Sequence, residues 1–291
     1  MIRPRPVVLG LCALLVFGFS ASAQQEASTP PQVLQITMEM VKPGKQGMLH
    51  DKSESAFVAA MARAKEPSHY TAFCSLTGRP RCIYLTRYDS FAAWEADQRF
   101  VEKNSALAAE LDRAAVSDGE LLDGMTQLVY TSDPDLSYHS RKPDASVRFL
   151  EVSVYHVKPG HTADWRKLVQ MVKDGHDKAG TTTHWGMYEI GYGSEDGTYL
   201  VLSAHSSLAN IDTGFEESKK WLAAMGGPEG MKQFDDLLAA TIDHSHSELY
   251  AVNPRQSYVE DSWIQADPGF WKPKPAAAPA AKPAADEKKS K

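Results

Sequence analysis

The sequence predicts an α+β protein made of two copies of one β-α-β-β-α-β unit, and three observations predict it. First, Val33-Leu-Gln-Ile-Thr-Met-Glu-Met-Val-Lys-Pro-Gly44 returns 116 residues later as Phe149-Leu-Glu-Val-Ser-Val-Tyr-His-Val-Lys-Pro-Gly160. Second, each segment alternates along its length, the period of a half-buried strand, and each stops at Pro-Gly. Third, the likeness continues in order. Ser68-His69-Tyr70 matches Thr183-His184-Trp185, Ile83-Tyr84-Leu85-Thr86 matches Tyr199-Leu200-Val201-Leu202, and Tyr130-Thr-Ser-Asp-Pro134 matches Tyr250-Ala-Val-Asn-Pro254. Similarity held in order over ~110 residues, with registers slipping by only a few positions, marks a duplication.

In the first copy, the alternation places a strand at 33–41, followed after Pro43-Gly44 by a helix at 46–64. Strands at 69–76 and 82–88 turn back on each other at Thr77-Gly78-Arg79. Ser90 is a side-chain N-cap for a helix with a break over 90–117, and a strand at 125–131 closes the unit. The second copy has strands at 147–157, 183–191, 198–205 and 245–252 and helices at 161–178 and 207–224. Ser207 opens the second of these helices, and Gly226-Gly227-Pro228 interrupts it before 229–242. The acidic Gly191-Tyr-Gly-Ser-Glu-Asp-Gly197 lies between two strands and reads as a hairpin turn, not a phosphate-cradling loop. The units run over 33–138 and 146–258.

Cys74 and Cys82 lie symmetrically about Gly78, opposite each other across the first hairpin, where Cβ atoms sit roughly 4.5–5.5 Å apart. A disulfide there would add on the order of 2–3 kcal/mol; the alternative is two buried free thiols. The spacing is not that of a reactive Cys-x-x-Cys pair.

The ends differ from the body. Arg3 and Arg5, the apolar run Val7–Phe19 and Ser20-Ala-Ser-Ala23 have the pattern of a secretory signal over residues 1–23. That run is shorter than the ~20 residues needed to span a bilayer, so no stable membrane insertion is expected once the signal is removed. Cys12 would leave with it. The expected location is secreted or periplasmic, an oxidising compartment that suits the disulfide. Residues 24–32 read as a linker. In residues 268–291, five Pro, seven Ala and six Lys fill 18 of 24 positions, a composition expected to be disordered, with Phe270 and Trp271 pinning its root. The body between holds 23 basic and 35 acidic side chains out of a chain total of 31 and 37. So acidic a surface argues against a nucleic-acid partner.

The β-α-β-β-α-β order is ferredoxin-like. With the strand-Lys-Pro-Gly-helix opening and the capped second helix, the chain resembles the dimeric α+β-barrel superfamily. That group includes antibiotic-biosynthesis monooxygenases, NIPSNAP-type domains and several haem-handling proteins. The resemblance implies that two four-stranded sheets pair face to face, and that this tandem chain closes a pseudo-dimeric α+β barrel by itself.

In such a barrel, helices cover one face of each sheet. Leu34, Ile36, Met38 and Met40, with Leu150, Val152, Val154 and His156, are expected beneath helices. Gln35, Thr37 and Glu39, with Glu151, Ser153 and Tyr155, are then expected to look into the barrel. On the last strand of copy two, His244, His246, Glu248 and Tyr250 share a face where copy one has Gly124, Thr126, Leu128 and Tyr130. That strand lies beside the first, so Glu151, Ser153, Tyr155, His246, Glu248 and Tyr250 are expected on one patch. The expected partner is a small, partly aromatic molecule in the barrel, touched by Glu151, Ser153, Tyr155 and Tyr250, with catalysis left open. If the chain is an enzyme like the superfamily's cofactor-independent monooxygenases, His246 or Glu248 is the candidate general base. A further alternative is His244-x-His246 holding Zn²⁺ or non-haem iron. Another is haem on His184, His205 or His246, without a Cys-x-x-Cys-His attachment motif. His69 and His184, at the same point of each copy, read as structural.

Overall fold

The computed structural model describes residues 31–272. The expected signal (1–23), most of the 24–32 linker and the tail beyond Lys272 lie outside the described residues. The first repeat comprises β1 (Val33–Val41), α1 (Met48–Ala64), β2 (Tyr70–Ser75), β3 (Arg81–Tyr88), α2 (Phe91–Lys103), α3 (Ser105–Gly119) and β4 (Leu122–Ser132). The second comprises β5 (Phe149–Val157), α4 (Thr162–Ala179), β6 (Gly186–Tyr192), β7 (Thr198–His205), α5 (Ala209–Ala224), α6 (Gly227–Thr241) and β8 (Ile242–Val252), before two short helices, α7 (Asp261–Ala266) and α8 (Pro268–Trp271).

Local chemistry sets these boundaries. Ser90 accepts from Ala93 N–H at the start of α2, and Asn104 separates α2 from α3 by accepting from Leu107 N–H. Ser207 lies one residue outside the position expected of it: α5 begins at Ala209 with Leu208 as N-cap, and Ser207 Oγ accepts only from Ala209 N–H. Cys74 and Cys82 face each other in the β2–β3 ladder and form a disulfide, with Gly78 at φ +72° in the turn between them, a backbone conformation that suits a residue without Cβ.

All neighbouring strands are antiparallel and close one barrel in the order β1-β3-β2-β8-β5-β7-β6-β4. Each repeat contributes four strands, so one chain forms both halves of the α+β barrel. The seams are short: Phe73–Ser75 pair with Val252–Tyr250, and Val129–Ser132 with Tyr192–Tyr188. The segments after β4 and β8 cross to the other repeat. Tyr138 bridges to Trp185, and Tyr258 to Tyr70.

The strand faces are the reverse of the sequence expectation. Leu34, Ile36, Leu150 and Val152 pack with Phe73, Ile83, Leu85, Tyr130, Leu200 and Tyr250 in one cluster drawn from both sheets, which is the barrel interior. Gln35, Thr37, Glu39, Glu151, Ser153 and Tyr155, one residue out of phase, lie on the helix side. Tyr155 packs on Trp165 of α4, and Glu39 bonds His50 of α1. The reason is solvent access. An eight-stranded barrel is just wide enough for its own side chains or one small ligand, so its inside is the driest surface available. The helix layer meets water at its margins and tolerates Gln35, Thr37 and Ser153.

The ordered body also runs into the segment expected to be disordered. Trp271 is buried, its Nε1 donates to Ala145 O at 2.9 Å, and it packs on Trp263.

Candidate functional site

The register separates the six residues expected to form one patch. In the β5–β8 ladder, Leu150, Val152, Val154 and His156 stand opposite Tyr250, Glu248, His246 and His244, whereas Glu151, Ser153 and Tyr155 stand opposite Leu249, Ser247 and Ser245. Side chains directly opposite share a face. Tyr250, Glu248 and His246 therefore lie on the barrel face, and Glu151, Ser153 and Tyr155 on the helix face. The expected convergence fails because both sets were put on the face that only one of them occupies. Ser153 Oγ lies 2.7 Å from Ser247 Oγ, and Tyr155 is packed among aromatic rings.

The barrel-face set is not an open pocket either. Glu248 pairs with Arg81 at 2.8 Å and accepts from the Tyr250 hydroxyl at 2.6 Å. A Cβ at Gly78 would come within 2.7 Å of Glu248 Oε1, so the turn closes over this carboxylate. His244 and His246 stand exposed on the part of β8 that projects past the β2 seam. His244 Nδ1 lies 2.8 Å from Asp243, and its ring stacks on His156 with centroids 4.0 Å apart. Burial, with His244 adding to it, holds His156 below the usual histidine range.

The opposite end of the barrel does hold a cavity, of about 610 Å³. Its inner wall is Leu34, Phe73, Leu85, Leu150, Leu202 and Tyr188, and it continues to the groove beside α5. Arg87 projects into it. In β3 this residue continues the inward phase of Ile83 and Leu85, and in the ladder it stands opposite Leu34. Among the described residues no carboxylate forms an ion pair with Arg87, and no hydrogen bond holds its guanidinium. Burial pulls its pKa below the usual arginine value, with Tyr188 and Glu260 acting in the opposite sense; an arginine remains a cation even so. In the second repeat the matching position, opposite Leu150, is Ala204. Sequence reasoning passed over Arg87, although an arginine in phase with Ile83 and Leu85 was a visible break in an apolar face.

The α5 side of the cavity has its own anchoring. Glu217 accepts from the backbone N–H and hydroxyl of Thr182 at 2.8 Å and from the Thr183 hydroxyl at 3.2 Å. Burial raises its pKa, but those bonds outweigh burial and leave the carboxyl below its usual range. His184 and His205 also line the cavity. Haem requires an imidazole nitrogen free to reach iron. His184 Nε2 is 3.2 Å from Ala204 O, His205 Nε2 is sealed from solvent beside Glu151 at 3.6 Å, and His246 lies outside the cavity. Of the three histidines, His184 and His205 are the two that line the cavity. Among the described residues, the one group of at least three His, Cys, Asp or Glu side chains close enough to share an ion lies beneath α1, away from the cavity.

No family model and no curated protein matches the sequence. Solved structures do match the fold. One from Fusobacterium nucleatum subsp. nucleatum, described as a "putative monooxygenase", aligns with TM-score 0.50 and 12% identity over 77% of this chain and 93% of that one. A mutant chlorite dismutase of Candidatus Nitrospira defluvii aligns at 0.47 and 10% over 83% and 98%, and a haem-binding protein of Thermus thermophilus at 0.46 and 8% over 82% and 95%. At these identities the likeness is one of fold, and the chain has the dimeric α+β-barrel fold with both halves in tandem.

Proposed function

We propose that this chain is a secreted or periplasmic binding protein for a small aromatic anion, held in the barrel cavity with its acidic group on Arg87. The observation that carries the reading is a half-buried guanidinium that no described carboxylate meets at ion-pair distance, set beside Phe73, Tyr188 and aliphatic side chains. A cation in such a place is costly unless paired, and a planar guanidinium matches a carboxylate in a two-pronged contact. The ring of the ligand would lie on the apolar wall. The export pattern of residues 1–23 and the disulfide support the compartment.

Calorimetric titration with benzoate, 4-hydroxybenzoate and 1-naphthoate tests this, against the neutral amides of the same acids. At least one acid is expected to bind more tightly than its amide, and Arg87→Met is expected to weaken it about 10- to 100-fold while leaving the amide unchanged, the usual worth of a bond to a charged group. Equal binding of acid and amide, or an unchanged acid affinity in the variant, refutes the assignment.

A further inference from the structure

The layer between sheet and helices is filled differently in the two repeats. In the second repeat it is apolar: Tyr155 and Tyr199, paired across β5–β7, pack on Trp165, with Leu168, Val169 and Leu238 around them. By register, the residues of the first repeat that correspond to Tyr155 and Tyr199 are Glu39 and Cys82. Above them α1 brings His50 and Glu54, and α3 brings Asp118. Glu39 is 7% exposed, His50 1%, Glu54 4% and Asp118 2%.

These four side chains face one another. His50 Nε2 is 3.1 Å from Glu39 Oε2 and 3.8 Å from Asp118 Oδ1. One ligand atom from each of the four lies within 4.8 Å of the other three. Glu54 Oε1 and Asp118 Oδ1 are fully enclosed and have no hydrogen-bond partner. Among the described residues no Lys or Arg pairs with any of the three carboxylates; Glu39 and Asp118 pair with His50, and Glu54 forms no ion pair. The imidazole is steadied from behind, with Gln256 Nε2 3.2 Å from its Nδ1, and Gln256 is itself held by Asp51 and Tyr84.

Three buried carboxylates cannot all be ionised without a counter-charge. We propose that Glu39, His50, Glu54 and Asp118 form a closed site for one divalent transition-metal ion, Mn²⁺ or Zn²⁺. Carboxylate oxygens with one imidazole and no thiolate suit these ions, whereas Ca²⁺ takes six to eight oxygens. All four ligands are buried, so the ion's part is structural: it ties β1, α1 and α3 together and does not meet the barrel ligand. The site stands independently of the Arg87 reading.

The test uses the full chain, unfolded in urea with EDTA and refolded with MnCl₂, with ZnCl₂ or with chelator, because a closed site loads as the chain folds. One equivalent of Mn²⁺ or Zn²⁺ is expected to survive desalting, with unfolding raised by several degrees over the metal-free protein. Glu54→Gln and Asp118→Asn are expected to abolish both effects, and the circular dichroism of each variant shows that it is folded. A His244→Ala/His246→Ala double variant is expected to keep its equivalent. Failure of the unaltered chain to retain either ion overturns the proposal. So does an equivalent that survives both carboxylate substitutions, or one lost with the surface histidines.

Discussion

Glu66 follows α1 and is 3% exposed, with its Oε2 sealed and without a partner; Asp97 Oδ1 is in the same condition. Burial, then a hydrogen bond with Asp97 and that residue's charge, push Glu66 up to about 8, while Ser68 N–H acts the other way. The pair is thus satisfied when Glu66 holds a proton. The unfolded chain releases that proton near 4.5, so the contribution is fully present below that pH and is lost as pH rises through 8. Each pH unit between the two values removes about 1.4 kcal/mol, and the loss at pH 7 has an upper bound of about 3.5 kcal/mol. Glu66→Gln replaces the titrating proton with a permanent N–H for Asp97. Urea unfolding of both proteins at pH 5, 6, 7 and 8 in constant chelator measures the difference. The variant is expected to match the parent near pH 5 and to gain on the order of 1 kcal/mol per pH unit up to pH 8. A difference in stability that does not change with pH refutes the account of the pair.

Two further outcomes follow from packing. Replacing Cys74 and Cys82 with alanine opens the short β2–β3 loop and is expected to lower unfolding stability by about 2.5 kcal/mol, read by urea titration without reductant; an unchanged midpoint refutes it. Trp271→Ala removes a buried indole, its bond to Ala145 O and its packing on Trp263 and Phe270. It is expected to cost about 3–5 kcal/mol by the same titration, and a loss under 1 kcal/mol would show that α8 does not anchor the chain.

The topology was legible because it rests on local signals repeated twice. Alternation marks Val33–Val41 and Phe149–Val157 as strands, and Pro43-Gly44 and Pro159-Gly160 stop them. What alternation cannot tell is which of two faces turns inward, since shifting the phase by one residue exchanges them. The polar faces of β1 and β5 are the helix side and not the barrel lining. Once the faces were exchanged, Glu151 parted from Glu248, and the expected site dissolved. The residues that do come together come from distant places: Glu39, His50 and Glu54 from the start of the repeat, Asp118 from its last helix. His50 and Glu54 stand one turn apart on α1, but no spacing rule joins that pair to Glu39 and Asp118, and only the packing of α1 and α3 over β1 brings the four within reach.

The duplication makes each half a control for the other. Ala204 stands where the first repeat has Arg87, and Tyr155 where it has Glu39; Trp165, beside Tyr155, fills the layer that His50 occupies. The second repeat shows that the fold is satisfied by apolar side chains at these places. Burying a charge instead costs several kcal/mol if it is left unpaired, and the first repeat accepts that cost twice, in the cavity and beneath α1. The sequence, by contrast, had pointed to the second repeat, whose last strand is the richer in histidine and glutamate. Those groups are exposed at the strand end, where ionisable side chains cost little, or, as Glu248 is, paired with Arg81. Arg87 and the four side chains beneath α1, on which the two proposals rest, lie instead in the half whose interior had looked neutral.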